Sequence, residues 1–190
     1  MENLTTKQNK KKLLLHACCA TCSGYPYYYL SENYNVTLFY YNPNIYPEEE
    51  YIKRLNDIKR FSESEGFDLI IGKYDYKLWE SYVLGLESEP EGGKRCEKCF
   101  IFRLKETAET AKLKGFDFFT TTMSVSPHKN FLLLNKTGKN LENYFKISYI
   151  ESNFKKKDGY KKTLEISKKL NFYRQNYCGC KYSIKKIAEE

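Results

Sequence analysis

Seven cysteines fall into three tight clusters on an otherwise cysteine-free chain: Cys18-Cys19-Ala20-Thr21-Cys22, Cys96-Glu97-Lys98-Cys99 and Cys178-Gly179-Cys180. Structural cysteines scatter singly through cores, where they behave as small hydrophobes. Thiols separated by zero, one or two residues instead bring several sulfurs within reach of one centre, as a metal or a dithiol couple requires. One CxxC alone says little. Three clusters, each about eighty residues from the next, demand a fold that gathers distant segments into one sulfur-rich site.

The 190 residues suit a single domain over 1–190, with a lysine-rich C-terminal segment contributing Cys178 and Cys180. The first twelve residues are polar and lysine-rich, unlike a signal peptide, and no apolar run approaches the ~20 residues of a membrane span. The chain therefore reads as cytoplasmic, with no membrane partner. Thiols stay reduced in that compartment, which favours metal binding or redox catalysis over a disulfide framework. Net charge is +8 and eighteen residues are tyrosine, so cations for phosphates and flat rings for bases are both at hand. An AT-rich genome would produce the same bias, and charge alone does not decide.

Strand and helix patterns alternate. Residues 11–17 read as a buried strand ending at the first cysteines, followed by a helix over 24–33. A β-branched and aromatic run at 36–41 reads as a second strand, stopped by Asn42-Pro43-Asn44. Pro47 suits a helix start, and Glu48, Glu49 and Glu50 suit its positive end. Tyr51, Leu55, Ile58 and Phe61 give that helix an apolar stripe. Further strands are expected at 67–71 and 116–122, and further helices at 76–84, from Cys96 to Lys112, and at 160–170. This alternation predicts an α/β fold, a mostly parallel sheet with helices on both faces. Sites in such sheets form beyond the carboxyl ends of the strands. Cys18, Asn42 and Ser126-Pro127-His128 each follow a strand, so they should converge.

Two CxxC knuckles, at 19–22 and 96–99, could hold tetrahedral zinc. Adjacent Cys18-Cys19 suits a larger object such as an iron–sulfur cube, and spacing leaves the two open. Cys178-Gly179-Cys180 can close a small, labile disulfide ring or supply two more ligands. His16 and His128, both at strand ends, are structural or catalytic candidates. Arg54 either faces the site and binds an anion or is solvated. The Lys155-Lys156-Lys157 run reads as a solvated face. Neither G-x-x-x-x-G-K-[ST] nor G-x-G-x-x-G occurs, so nucleotide hydrolysis and dinucleotide binding by those routes are unsupported.

Together, His16-Ala17-Cys18-Cys19-Ala20-x-Cys22-Ser23, Tyr41-Asn42-Pro43-Asn44-Ile45, Glu50-Tyr51-x-x-Arg54, Arg95-Cys96-x-x-Cys99, Ser126-Pro127-His128-Lys129 and Tyr173-Arg174-Gln175-x-Tyr177-Cys178-Gly179-Cys180 resemble the cobalamin-independent epoxyqueuosine reductases. The resemblance spans residues 13–183. It implies an adenine-nucleotide α-hydrolase-like fold and the last step of queuosine synthesis, reduction of an epoxide at the wobble position of tRNA. It further implies a [4Fe–4S] cluster on Cys18, Cys19, Cys96 and Cys99, and a redox-active pair in Cys178 and Cys180. Cys22 is then a candidate ligand of a second, mononuclear metal ion. Arg54, Asn42, Asn44 and Arg174 are candidates for substrate contact. The partners implied are the tRNA anticodon loop and an unidentified electron donor. Two positions depart from the family's pattern: Asn153 stands where it carries Asp, and His128 where an aromatic is common. The competing readings are a zinc-stapled RNA-binding module and a sulfur-transferring tRNA-modification enzyme on the same fold. The absent S-G-G-x-D-S phosphate loop weighs against the latter.

Overall fold

The computed structural model describes residues 10–184, so most of the polar N-terminal segment lies outside the described residues. Five parallel strands form one sheet in the order β3-β2-β1-β4-β5: β1 (Lys12–His16), β2 (Asn35–Tyr40), β3 (Leu69–Ile71), β4 (Phe118–Thr121) and β5 (Ser148–Tyr149). The helices are α1 (Ala20–Ser31), α2 (Glu48–Glu65), α3 (Tyr76–Tyr82), α4 (Lys94–Leu113), α5 (Phe131–Phe145) and α6 (Gly159–Lys169). The chain winds outward from β1 to β3, then returns to lay β4 on the other side of β1. That reversal creates the crevice in which open α/β sheets bind ligands.

Strand periodicity separates two cores. Leu13 and Leu15 of β1, with Val36, Leu38 and Tyr40 of β2, face α1, α2 and α6. Leu14, Phe39 and Tyr41 point the other way, against Ala108 and Ala111 of α4 and Leu141 of α5. Strands covered on both sides become continuous apolar runs, and Leu13-Leu14-Leu15 is fully buried for that reason. The expected parallel sheet with helices on both faces is what forms. Among the described residues no helix is long and apolar enough to cross a membrane.

Helix starts differ from expectation in a useful way. α1 begins at Ala20, four residues earlier than its apolar pattern suggests. Cys19 is extended, and its Sγ accepts the Cys22 backbone N–H at 3.4 Å, doing the work a serine usually does at a helix start. Cys22 therefore sits on the first turn. In α2, Pro47 caps rather than opens the helix, and Gly66 closes it at φ 72°.

Two elements had no counterpart in the sequence reading: α5 and the two-residue strand β5. Asn130 begins α5 by accepting the Leu132 and Leu133 amides at 3.0 and 3.2 Å. The segment Lys136-Thr137-Gly138-Lys139-Asn140 reads as a turn, yet it lies mid-helix. Gly138 is there because the Tyr149 ring fills the space a side chain would need: a Cβ would lie 2.4 Å from it. Tyr149 cannot withdraw, being buried with its hydroxyl 3.2 Å from Asn135 Oδ1. Gly138→Ala is accordingly expected to destabilise the fold by about 1–3 kcal/mol, although alanine is the better helix former. The urea midpoint should fall with an unchanged slope.

Candidate functional site

The carboxyl end of β1 is tied to both of its neighbours before the first cysteine. His16 is fully buried, with Nε2 3.1 Å from the Tyr41 carbonyl and Nδ1 2.9 Å from Thr121 Oγ1. A carbonyl only accepts, so Nε2 carries the proton and Nδ1 accepts from the threonine hydroxyl. Burial, reinforced by the Arg103 charge, pushes the imidazole down to about 3, so it stays neutral. Both ring nitrogens are spent, and His16 is a structural tie. Next along the chain, Asn42 donates to the Ala17 carbonyl at 2.9 Å and accepts from buried Arg103. Cys18 N–H donates to Thr122 Oγ1 at 3.3 Å.

These ties set the first thiol cluster. The sulfurs of Cys18, Cys19 and Cys22 all lie within 4.8 Å of one another, near enough to hold one metal ion. Sulfhydryl donation from Cys19 and Cys22 holds Cys18 well below the usual thiol range. Donation to Cys18 lifts Cys19 to about 12 and raises Cys22. Gln175 Nε2 lies 3.1 Å from Cys19 Sγ. From α4, Cys96 packs on the apolar cluster that includes Cys18 and Cys19, and Gly92 N–H donates to its sulfur at 3.2 Å. One turn on, Cys99 is buried against Trp79, Val83 and Cys180, with its thiol raised to about 11 by burial. The indole N–H of Trp79 is buried beside that thiol and has no oxygen or nitrogen acceptor among the described residues.

The third cluster arrives on a loop whose carbonyls are held by Arg54 and Tyr46, and whose Tyr177 hydroxyl donates to the Tyr46 carbonyl at 2.6 Å. Arg54 donates from Nη1 to the Cys178 carbonyl at 3.1 Å and from Nη2 to the Tyr177 carbonyl at 3.4 Å. Its Nε pairs with Glu50 at 2.7 Å, and the other Glu50 oxygen accepts from Tyr173 at 3.0 Å. The Gly179 carbonyl accepts from the Tyr46 amide at 2.8 Å. Gly179 has φ 130°, and a Cβ would press on Ile45 at 3.1 Å and Arg54 at 3.2 Å, so only glycine suits this position. The two thiols look in different directions. Cys178 is half-buried at a cavity wall, whereas Cys180 sits with Trp79 and Cys99.

Arg54 is only 2% exposed, so the solvated alternative does not hold; Nη1 and Nη2 hold this loop, Nε holds Glu50, and the side chain also lines the cysteine cavity. Asn42 is equally occupied. Asn44 is buried close to Gly179, and its Oδ1 has no hydrogen-bond partner among the described residues. Arg174 and His128 are exposed and line a cavity of about 360 Å³ whose wall includes Cys18, Cys22, Cys178 and Lys129. Burial opposes the charge on Lys129, but the Cys178 and Cys18 sulfurs outweigh it and hold the amine protonated beyond its usual range. Lys155 is not the solvated residue its run suggested: its Nζ donates to the Lys129 carbonyl at 2.9 Å. Gln175 and Lys129 occur in the sequence motifs above without a role of their own, and neither Trp79 nor Arg103 is marked by any motif. For Arg103 a signal existed, a charge four residues after Cys99 on the apolar side of a helix. Asn153 does not line this cavity; it lines another, described below.

Comparison with known proteins places the chain in a family. The sequence model of the family described as epoxyqueuosine reductase QueH matches residues 13–186. Epoxyqueuosine reductase QueH of Haemophilus influenzae is 39% identical over 186 residues, 97% of this chain and 76% of its own length. The Streptococcus pyogenes serotype M1 protein is 37% identical over 93% of this chain and 71% of its own length. For the Thermotoga maritima protein the values are 33%, 94% and 93%. Among solved structures, the U34-tRNA thiolase NcsA from Methanococcus maripaludis with its [4Fe-4S] cluster superposes with a TM-score of 0.56 at 15% identity. That match covers 93% of this chain and 62% of the thiolase, and it shows likeness of fold.

The buried ion pair behind the Cys178 loop yields a test. Arg54→Ala should cost about 3–5 kcal/mol, because it strands Glu50 in the interior. Combining Glu50→Gln with Arg54→Met should recover much of that loss in urea unfolding, since no unpaired charge remains.

Proposed function

The chain belongs to the epoxyqueuosine reductase QueH family, and on that premise we propose that its cysteine-lined cavity deoxygenates epoxyqueuosine in tRNA. It is an oxidoreductase: both carbon–oxygen bonds of the epoxide break, the oxygen leaves as water, a carbon–carbon double bond forms in the ring, and two electrons and two protons are consumed. The observation that carries the reading is the meeting of Cys18, Cys19 and Cys22 at the end of the central strand, across one cavity from Cys178.

The donor set fits a sulfur-ligated cluster. Four thiols from two segments, Cys18, Cys19, Cys96 and Cys99, would hold a [4Fe–4S] group of the kind NcsA carries on a similar fold. Gln175 Nε2 already bonds a thiol, and the orphaned Trp79 N–H stands beside another, the kind of donor that tunes cluster sulfurs. When bound, such a cluster supplies electrons one at a time. Cys22 lines the same cavity as Cys178 and is the candidate ligand of a second metal ion.

The remaining roles belong to the chain itself. Oxidation of the Cys178 and Cys180 thiols to a disulfide releases the two electrons and two protons the reaction needs, and an external donor restores them. Pairing requires Cys180 to leave its seat near Ser183 and Trp79, and Gly179 lends the loop that freedom. Protonated Lys129 offsets charge developing on the departing oxygen. Arg174, exposed at the rim, meets backbone phosphate, while Arg54, Asn42 and Asn44 support the loop and strand ends behind. With +8 net charge, the protein engages the single-stranded anticodon loop, whose bases can be splayed outward, and works where tRNA resides, in the cytoplasm. The sulfur-transfer reading is weaker, because the turn after β1 carries thiols in place of a glycine-rich phosphate cradle.

Replacing Cys18, Cys19, Cys96 or Cys99 by alanine should strip iron and sulfide from anaerobically purified protein. Cys178→Ser and Cys180→Ser should retain both yet fail to turn over epoxyqueuosine-containing tRNA. Unchanged iron in three of the first four variants would refute the ligand set. Affinity for tRNA should fall with salt at a log–log slope on the order of −0.7 to −0.9 per phosphate contact. A flat response would remove the tRNA assignment.

A further inference from the structure

A second cavity, of about 350 Å³, opens beside the first, between the outer side of α1 and the segment after β5. That volume falls within the ~300–1,000 Å³ of small-ligand pockets. Its wall combines three kinds of group. Tyr25, Tyr29 and Tyr34 supply rings, and Tyr29 is 53% exposed, lying 6.0 Å from Tyr25 and edge-on to Phe154 at 6.1 Å. Lys156 and Lys157 supply exposed cations. Glu151 and Asn153 supply acceptors, and Asn153 Oδ1 is buried with no hydrogen-bond partner among the described residues.

The position of this cavity relates it to the first. Cys22 lines the cysteine cavity and Tyr25 and Tyr29 line the second, three and seven residues further along α1. At ~1.5 Å per residue the near part of this wall is about 5–10 Å from Cys22, the scale of a neighbouring nucleotide, and the cavity runs on to Leu30 and Asn33 at the far end of α1. Lys155, between the wall residues Phe154 and Lys156, donates from Nζ to the carbonyl of Lys129 of the first cavity at 2.9 Å. The lysine-bearing turn is hydrogen-bonded, Lys156 N–H to the Asn153 carbonyl at 3.1 Å and Gly159 N–H to the Lys156 carbonyl at 3.0 Å, and Gly159 packs so closely on Phe154 that a Cβ there would fall 1.8 Å from its carbonyl oxygen. The cavity is therefore presented in a set shape.

We propose that this cavity is a second nucleotide subsite, taking a base of the tRNA next to the one being reduced. The base stacks on Tyr29, an N–H group on its edge donates to Asn153 Oδ1, and its phosphate meets Lys156 or Lys157. Aromatic stacking with nearby cations is how single strands are held without a duplex, and an unpaired buried acceptor selects a donor-bearing edge. The proposal rests on tRNA being the substrate.

Two measurements test it. An anticodon stem-loop carrying 5-iodouridine beside the modified position is photocrosslinked to the intact protein and the attachment mapped. In parallel, Kd and turnover for epoxyqueuosine-containing tRNA are compared for wild type, Tyr29→Ala, Tyr29→Phe and Lys156→Ala/Lys157→Ala. Crosslinks to Tyr25 or Tyr29, with Kd raised roughly ten-fold in Tyr29→Ala, restored in Tyr29→Phe and unchanged kcat at saturating tRNA, are expected. Wild-type turnover with unaltered Kd in Tyr29→Ala and crosslinks confined to the cysteine cavity would overturn the subsite alone. Crosslinks at Tyr29 without any reduction of the epoxide would support the subsite and overturn the assigned reaction.

Discussion

The neutral imidazole of His16, wedged between the Tyr41 carbonyl and the Thr121 hydroxyl, locks the carboxyl ends of β2, β1 and β4 to one another. Everything chemical in this protein hangs from that point. Two residues on, the chain must turn into α1 with Cys18 and Cys19 side by side, and an end that frayed would scatter their sulfurs. The choice of histidine has a reason. A buried group was needed that donates to a carbonyl and accepts from a hydroxyl at once, and a neutral imidazole does both without bringing a charge inside. Thr121 in turn accepts from the Met123 amide at 3.1 Å, so the turn after β4 is shaped by the same contact.

A second layer of buried polar groups carries this order to the far end of the sequence. Arg54 comes from the helix after β2, yet its contacts are with carbonyls at 177 and 178. An arginine suits the task because its planar fork meets several acceptors in one geometry, and Glu50 neutralises its charge. Ion pairs buried like this are a weak source of stability, because desolvation offsets most of the attraction. What the pair accomplishes is placement. The Cys178 loop has few apolar side chains of its own, and backbone bonds to Arg54 and Tyr46 hold it in their stead.

Much of the fold was legible, and the exceptions have physical causes. β1 and β2 are recognisable as uninterrupted apolar runs, and α2 by its stripe and acidic start. α5 was not, because Gly138 and its polar neighbours look like a turn. That glycine answers to the Tyr149 ring, a contact no local pattern reveals. β5 has two residues, too few for any periodicity. At the site, the cysteines announced themselves by spacing, whereas Gln175, Trp79 and Lys129 are ordinary residues made significant by what they face. Arg54 and Asn42 stood out as candidates for touching substrate; both also make buried hydrogen bonds within the protein, and Arg54 lines the cysteine cavity.

The sequence by itself determined that three thiol clusters must meet, that a parallel sheet would bring strand ends to one edge, and which residue types would surround them. Those are consequences of spacing, periodicity and backbone chemistry, all local to the chain. Tertiary structure alone decided which sulfurs are neighbours: Cys22 with Cys18 and Cys19, and Cys99 with Cys180 across from Trp79. It also decided that Asn153 faces a tyrosine-lined cavity and not the cysteines. Such assignments depend on how helices pack across a sheet and on which buried polar group reaches which carbonyl. Contacts between residues more than a hundred positions apart leave no trace in either stretch read separately.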